Sequence, residues 1–137
     1  MKLVVETLVH ADPSTTWKAY SNPDDIKQWN NASPDWHSPR SEVDLREGGR
    51  FTTRMEARDG SIGFDFAGTY TRVVPEELIA YRMDDGREAT VRFGKVPEGT
   101  RVTVEFEAES ENPAEMQQQG WQAILDNFAR YVEGNAA

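Results

Sequence analysis

The 137-residue sequence predicts an α+β fold: a curved antiparallel sheet of seven strands around one long C-terminal helix, with two short helices between strands one and two. Three observations predict it. An Asx-Pro helix-start signal occurs three times. Period-two alternation fills the middle of the chain between regularly spaced turn residues. The final stretch, "QQQGWQAILDNFARYVEG", carries apolar residues at helical spacing.

Residues 2–11 alternate and are rich in Val and Leu, which predicts the first strand. "DPST" at 12–15, "NPDD" at 22–25 and "NPAE" at 112–115 each offer Asp or Asn as helix N-cap. Each then places Pro at the first helical position, where its missing N–H does no harm. Helices therefore start near residues 13, 23 and 113, and Glu115 stands where a capping box has its acid. Pro23 ends the first helix and "NNASP" at 30–34 ends the second.

Between residues 40 and 110 turn signals recur at Gly48-Gly49, Asp59-Gly60, Pro75-Glu76-Glu77, Asp85-Gly86 and Pro97-Glu98-Gly99. Five turns join six strands. Phe51, Thr53, Met55 and Ala57 share one strand face, and Val102, Val104, Phe106 and Ala108 another. Such strands have one face in an apolar interior and one in water. The last helix, roughly 113–133, buries a stripe of Trp121, Ile124, Leu125, Phe128 and Val132. Gly120 belongs to that stripe, at a cost of roughly 1 kcal/mol against alanine. Either close helix-on-sheet packing or a ligand beside the helix accounts for it. Seven strands ~4.8 Å apart span nearly 30 Å, whereas one helix is ~10–12 Å wide. The helix alone leaves part of the sheet uncovered.

Apolar residues (37%) are spread along the whole length, so the chain reads as one folded domain, 1–137. A net charge of −9 argues against nucleic-acid or anionic-membrane binding. No apolar run approaches the ~20 residues of a membrane span. Without cysteine there is no disulfide, thiolate metal site or cysteine nucleophile. The N-terminal stretch lacks a signal peptide's apolar core, and a cytoplasmic location is expected. The two histidines, His10 and His37, have no metal-ligand spacing, and neither metal nor cofactor is implied. No nucleophile elbow, phosphate loop or dinucleotide fingerprint is present.

Segments spanning nearly the whole chain resemble a known group. They are "ADPSTTWKAYSNPDDIKQW", "VDLREGGRF", the "DG" at 59–60, "AGTYTRVVPEELIAYRM", "GTRVTVEF" and "GWQAILDNFARYVEG". The chain resembles the START-like (SRPBCC) helix-grip superfamily, and within it homologues of the C-terminal domain of heat-shock-protein-90 ATPase activators. The resemblance implies the helix-grip fold and a cavity of the polyketide-cyclase and lipid-transport type. Relatives often follow the tryptophan ending the second helix with a second Trp and a Gly-Pro. Here Asn30 and Asn31 follow Trp29, which implies a more polar rim.

The expected function is non-enzymatic binding of a small hydrophobic molecule, aromatic or lipid-like, between sheet and C-terminal helix. The candidate ligand-binding residues are Trp29, Trp36, His37, Phe51, Met55, Phe64, Phe66, Tyr81, Gln117, Gly120, Trp121 and Leu125. Trp29 and Trp36 flank a Pro/Asn/Ser loop, and Gln117 offers a polar contact at the cavity edge. Two alternatives stay open. A chaperone-linked interaction domain modulating heat-shock-protein-90 ATPase would use an outer face. A cyclase- or aromatase-like enzyme would need His37, Glu56 or Tyr81 in the pocket, and Glu6 and Glu56 are the acids offered as exceptions to outward alternation. Homodimerisation through an edge strand is compatible with the pattern.

Overall fold

The computed structural model describes residues 1–136. The elements run β1 (Lys2–Val9), α1 (Pro13–Ser21), α2 (Pro23–Trp29), β2 (Trp36–His37), β3 (Ser41–Val43), β4 (Arg50–Ala57), β5 (Gly63–Val74), β6 (Leu78–Met83), β7 (Glu88–Val96), β8 (Gly99–Glu107) and α3 (Ala114–Ala136). The sheet is antiparallel and curled, in the order β1-β8-β7-β6-β5-β4-β2, with β3 also paired to β4. β2 and β3 thus share the seventh position. β2 lies before residue 40, in the stretch expected to be loop. Pro39, lacking an N–H to continue a ladder, separates it from β3, the first strand of the meander.

Two of the three helix starts follow the capping chemistry. The Asp12 carboxylate accepts from the Thr15 N–H at 2.7 Å, and the Asn22 side chain accepts from the Asp24 N–H at 2.9 Å. The third does not. The Asn112 side chain turns to Glu109, and the first α3 bond runs from Gln117 N–H to the Pro113 carbonyl. Among the described residues, Glu115 makes no capping-box bond.

Register carries the core. Ile79, Val91 and Val104 lie across β6, β7 and β8 as direct partners, 3%, 0% and 2% exposed. α1 covers β7 with Trp17 and Tyr20, whose rings stand edge-on to Phe93 at 5.2 and 5.6 Å. Phe128 of α3 meets Tyr20 and Trp29 at 5.1 and 4.8 Å, joining the three helices. Buried Trp29 donates its indole N–H to the Ala19 carbonyl at 2.9 Å.

α3 packs along β1 and against α1 and α2. Gln118 and Gln122 donate to the Val4 and Glu6 carbonyls of β1, each at 2.9 Å. An edge strand's unpaired carbonyls are a template for association, and here the helix takes two of them. Its place on the β1 edge leaves the concave side of β4–β6 without a covering helix backbone. Among the described residues no helix is long and apolar enough to cross a membrane.

Candidate functional site

The uncovered part of the sheet forms the floor of a cavity of about 420 Å³. β4 contributes Phe51, Thr53 and Met55, β5 Phe64, Phe66 and Tyr70, and β6 Ile79 and Tyr81. These are the concave-facing positions of each strand, selected by period-two geometry. The helices complete the wall with Tyr20, Ile26, Trp29, Gln117, Gly120, Trp121, Ile124 and Leu125. Depth follows β5, from Phe64 at 48% exposure to Tyr70 at 7%. Exposed Phe64, Met116, Ala32 and Asn112 mark the mouth, between the β4–β5 hairpin, the α2–β2 loop and the start of α3.

Aromatic rings shape the interior. Trp121 is stacked on Phe106 at 4.0 Å and 6°, which fixes its indole plane. Phe66 stands edge-on to Trp121, Phe51 and Tyr81 at 6.2, 5.4 and 6.0 Å. The structure thus brings together Trp29, Phe51, Met55, Phe64, Phe66, Tyr81, Gln117, Gly120, Trp121 and Leu125 of the sequence candidates.

Two candidates lie elsewhere. His37 pairs in register with Glu56, whose neighbours on β4, Met55 and Ala57, face inward. Alternation therefore puts His37 and Glu56 on the outer face. There His37 Nε2 lies 3.3 Å from Glu56 Oε1, and Arg54 Nε 3.0 Å from Glu56 Oε2. The Arg54 guanidinium holds the Glu56 carboxyl below its usual range. Trp36 shares the concave side but sits beyond the mouth, edge-on to Phe64 at 6.2 Å. Glu6 is likewise external, 3.4 Å from Arg101. Neither acid is an exception to outward alternation. Among the described residues no group of acids and histidines is placed to hold a metal ion.

Gln117 reaches the cavity, but its carboxamide is engaged. It accepts from Glu109 N–H at 2.9 Å and donates to the Glu109 and Asn112 carbonyls at 3.1 and 2.7 Å. Its polar atoms clamp the loop before α3.

Gly120 of the cavity wall and Gly68 of β5 act oppositely. A Cβ at Gly120 would meet nothing within 4 Å, so this glycine opens space and is not a close-packing contact with the sheet. Close packing falls to Gly68. A Cβ there would lie 2.4 Å from the Arg82 carbonyl oxygen and 3.0 Å from the Phe51 ring, which covers its register partner. Gly120→Ala is expected to stabilise the fold by roughly 1 kcal/mol through helix propensity. Gly68→Ala is expected to destabilise it by about 2 kcal/mol through overpacking. Urea denaturation of both variants reads the opposite signs directly.

Sequence reasoning missed part of the polar wall. Tyr20, Tyr70, Asn30 and Arg87 all line the cavity. Tyr70 stands among the aromatic residues that the strand pattern offers for one interior, Tyr20 and Arg87 carry no signal, and Asn30 departs from the pattern after Trp29. It is 7% exposed, inside the wall and not on the rim. Burial keeps the Tyr20, Tyr70 and Tyr81 phenols protonated well above their ordinary range.

Residues 10–133 match the family model described as Activator of Hsp90 ATPase homolog 1-like protein. An AHSA1-like protein from Aeromonas hydrophila, solved by NMR, is 48% identical over 99% of this chain and 94% of that one, with a TM-score of 0.93. A protein from Cytophaga hutchinsonii is 42% identical over 98% of this chain and 92% of that one, with a TM-score of 0.81. A Nitrosomonas europaea protein, 19% identical over 99% and 96% of the two chains, shares the fold at a TM-score of 0.85. No curated protein matches. A family match from the end of β1 through most of α3, on a curled sheet holding one long helix, leaves one conclusion: the chain belongs to the Activator of Hsp90 ATPase homolog 1-like family, within the START-like helix-grip superfamily.

Proposed function

We propose that the protein binds a small hydrophobic molecule, aromatic or lipid-like, in the cavity between sheet and α3, without transforming it. The observation that carries this reading is the cavity itself: about 420 Å³, walled mainly by apolar and aromatic side chains, with a helix glycine facing open space. Ligand pockets are typically ~300–1,000 Å³ and mostly apolar. A ligand of the bulk of one tryptophan buries up to about 250 Å². At ~25 cal/mol per Å² this contributes about 6 kcal/mol before the cost of association. Apolar burial alone therefore gives a Kd of tens of micromolar at best.

A catalytic reading has little support. His37 and Glu56 lie on the outer face, which leaves Tyr81 as the one proposed acid–base residue in the cavity, protonated and, among the described residues, hydrogen-bonded to no base. The family description alone favours a chaperone-linked role. Added protein should leave heat-shock-protein-90 ATPase turnover unchanged.

The test is titration with N-phenyl-1-naphthylamine, a neutral apolar fluorophore. Wild type should show saturable enhancement. Gly120→Phe, whose Cβ would meet nothing within 4 Å on the cavity wall, should weaken binding at least about tenfold while keeping the wild-type circular dichroism. A folded Gly120→Phe protein that binds the probe undiminished would overturn the proposal.

A further inference from the structure

Four polar side chains of the cavity wall have no hydrogen-bond partner for their polar groups among the described residues: the hydroxyls of Tyr20, Tyr70 and Tyr81 and the carboxamide of Asn30. Tyr70, Tyr81 and Asn30 are 7%, 5% and 7% exposed. Among the described residues no fully enclosed side-chain oxygen or nitrogen lacks a partner. The polar atoms of these four therefore open onto space, and all four residues line the cavity. Such groups in a native interior are uncommon and call for an explanation.

Their arrangement is directional. Tyr70 and Tyr81 are direct register partners on β5 and β6, on the concave face. Both rings pack on Phe51, at 5.2 and 5.0 Å. Opposed residues of an antiparallel pair have Cβ atoms ~4.5–5.5 Å apart, so the two side chains rise from neighbouring positions of the concave face, with the Phe51 ring against both. Tyr20 comes from α1, close enough that, after burial, the Tyr70 phenol disfavours its ionisation and both phenols disfavour that of Tyr81.

We propose that this cluster receives the oxygen of an uncharged carbonyl compound, an aryl ketone in its simplest form, whose apolar body fills the rest of the cavity. The proposal rests on the binding reading above and names the ligand's chemical class. A carbonyl oxygen has two lone pairs and accepts from two donors at once, which neighbouring phenols supply. The hydroxyls are donors because burial keeps them protonated. A carboxylate is disfavoured. Arg87, the one cation on the wall, bonds to the Asp85 carboxylate at 2.7 Å and the Glu107 carbonyl at 3.3 Å, and Glu109 adds a negative charge.

The experiment compares three probes of one shape by NMR chemical-shift titration: 2-acetylnaphthalene, 2-ethylnaphthalene, which lacks the oxygen, and 2-naphthoate. Each is titrated into wild type and into the Tyr70→Phe/Tyr81→Phe double variant. The preference for the ketone over the hydrocarbon should fall about tenfold in the double variant, the size of one or two neutral hydrogen bonds. Hydrocarbon affinity should change less than about twofold, and wild type should bind naphthoate more weakly than ketone. An unchanged preference, or tighter naphthoate binding, overturns the carbonyl assignment and leaves the binding function standing. Failure of both neutral probes to shift wild-type cavity resonances overturns both. The removed hydroxyls have no protein partner, so both substitutions should leave the fold intact. Tyr70→Phe alone carries the same comparison at about threefold should the double variant not fold.

Discussion

Phe128→Ala should remove about 3–5 kcal/mol of stability, the range for truncating a fully buried aromatic side chain. Phe128 is 0% exposed, and its ring meets Tyr20 of α1 and Trp29 of α2. The loss is therefore one of docking as well as burial. α2 is seven residues long and α1 nine, too short to persist in water unaided. They are held by this aromatic contact and by the bond from Asn127 Nδ2 to the Trp29 carbonyl at 2.8 Å. Small domains have about 5–15 kcal/mol in total, so the loss is a large share of the whole. Urea denaturation followed by tryptophan fluorescence measures the cost. A loss below about 1 kcal/mol would mean that the helices dock by some other contact.

Raising the pH above 10 should unfold the protein steeply. Burial holds the Tyr20, Tyr70 and Tyr81 phenols protonated in the folded chain, whereas tyrosines of the unfolded chain ionise near pH 10. Below pH 10 both states carry these protons, and the three tyrosines give stability no slope. Above it the unfolded chain binds fewer protons, so stability falls as pH rises. Each tyrosine contributes a tenfold loss in the folding equilibrium per pH unit, until it ionises in the folded state as well. Tyr131 adds to this: its hydrogen bond to Asp25, with partial burial, raises its phenol to about 12. Phenolate absorbance and circular dichroism, followed together from pH 9 to 12, should change in one transition. Tyr70→Phe/Tyr81→Phe should make it shallower. Phenolate formation near pH 10 by all tyrosines of a still-folded chain would show that solvent reaches the cavity hydroxyls freely, contrary to their burial.

The two transitions share a cause. The cavity is a region where the chain has not completed its own core, so polar atoms and empty volume face each other across it. Phe128 closes the core behind the cavity, and Tyr20 and Trp29 of the wall pack on it.

The order of elements along the chain, the helix positions and the inward faces of β4 and β8 were legible in the sequence, because period-two alternation and Asx-Pro caps are set within a few residues of one another. So was the mismatch between one slender helix and a wide sheet. The pairing of β1 with β8 was not. The outward placement of Glu56 followed from the alternation of β4, but that of His37 was not legible. It depends on which residue of β4 it opposes, and a one-residue change of that register would turn it inward. The meanings of the two glycines were also out of reach. Gly120 followed the helical stripe, yet it faces open volume because α3 lies against β1 and not over β5, while Gly68 lies under Phe51 across the strand pair. Tyr20, Tyr70 and Tyr81 come from α1, β5 and β6 and carry no shared spacing. Local chemistry determined the elements and their faces. Long-range pairing decided which faces meet, and so where a polar cluster stands inside an apolar cavity.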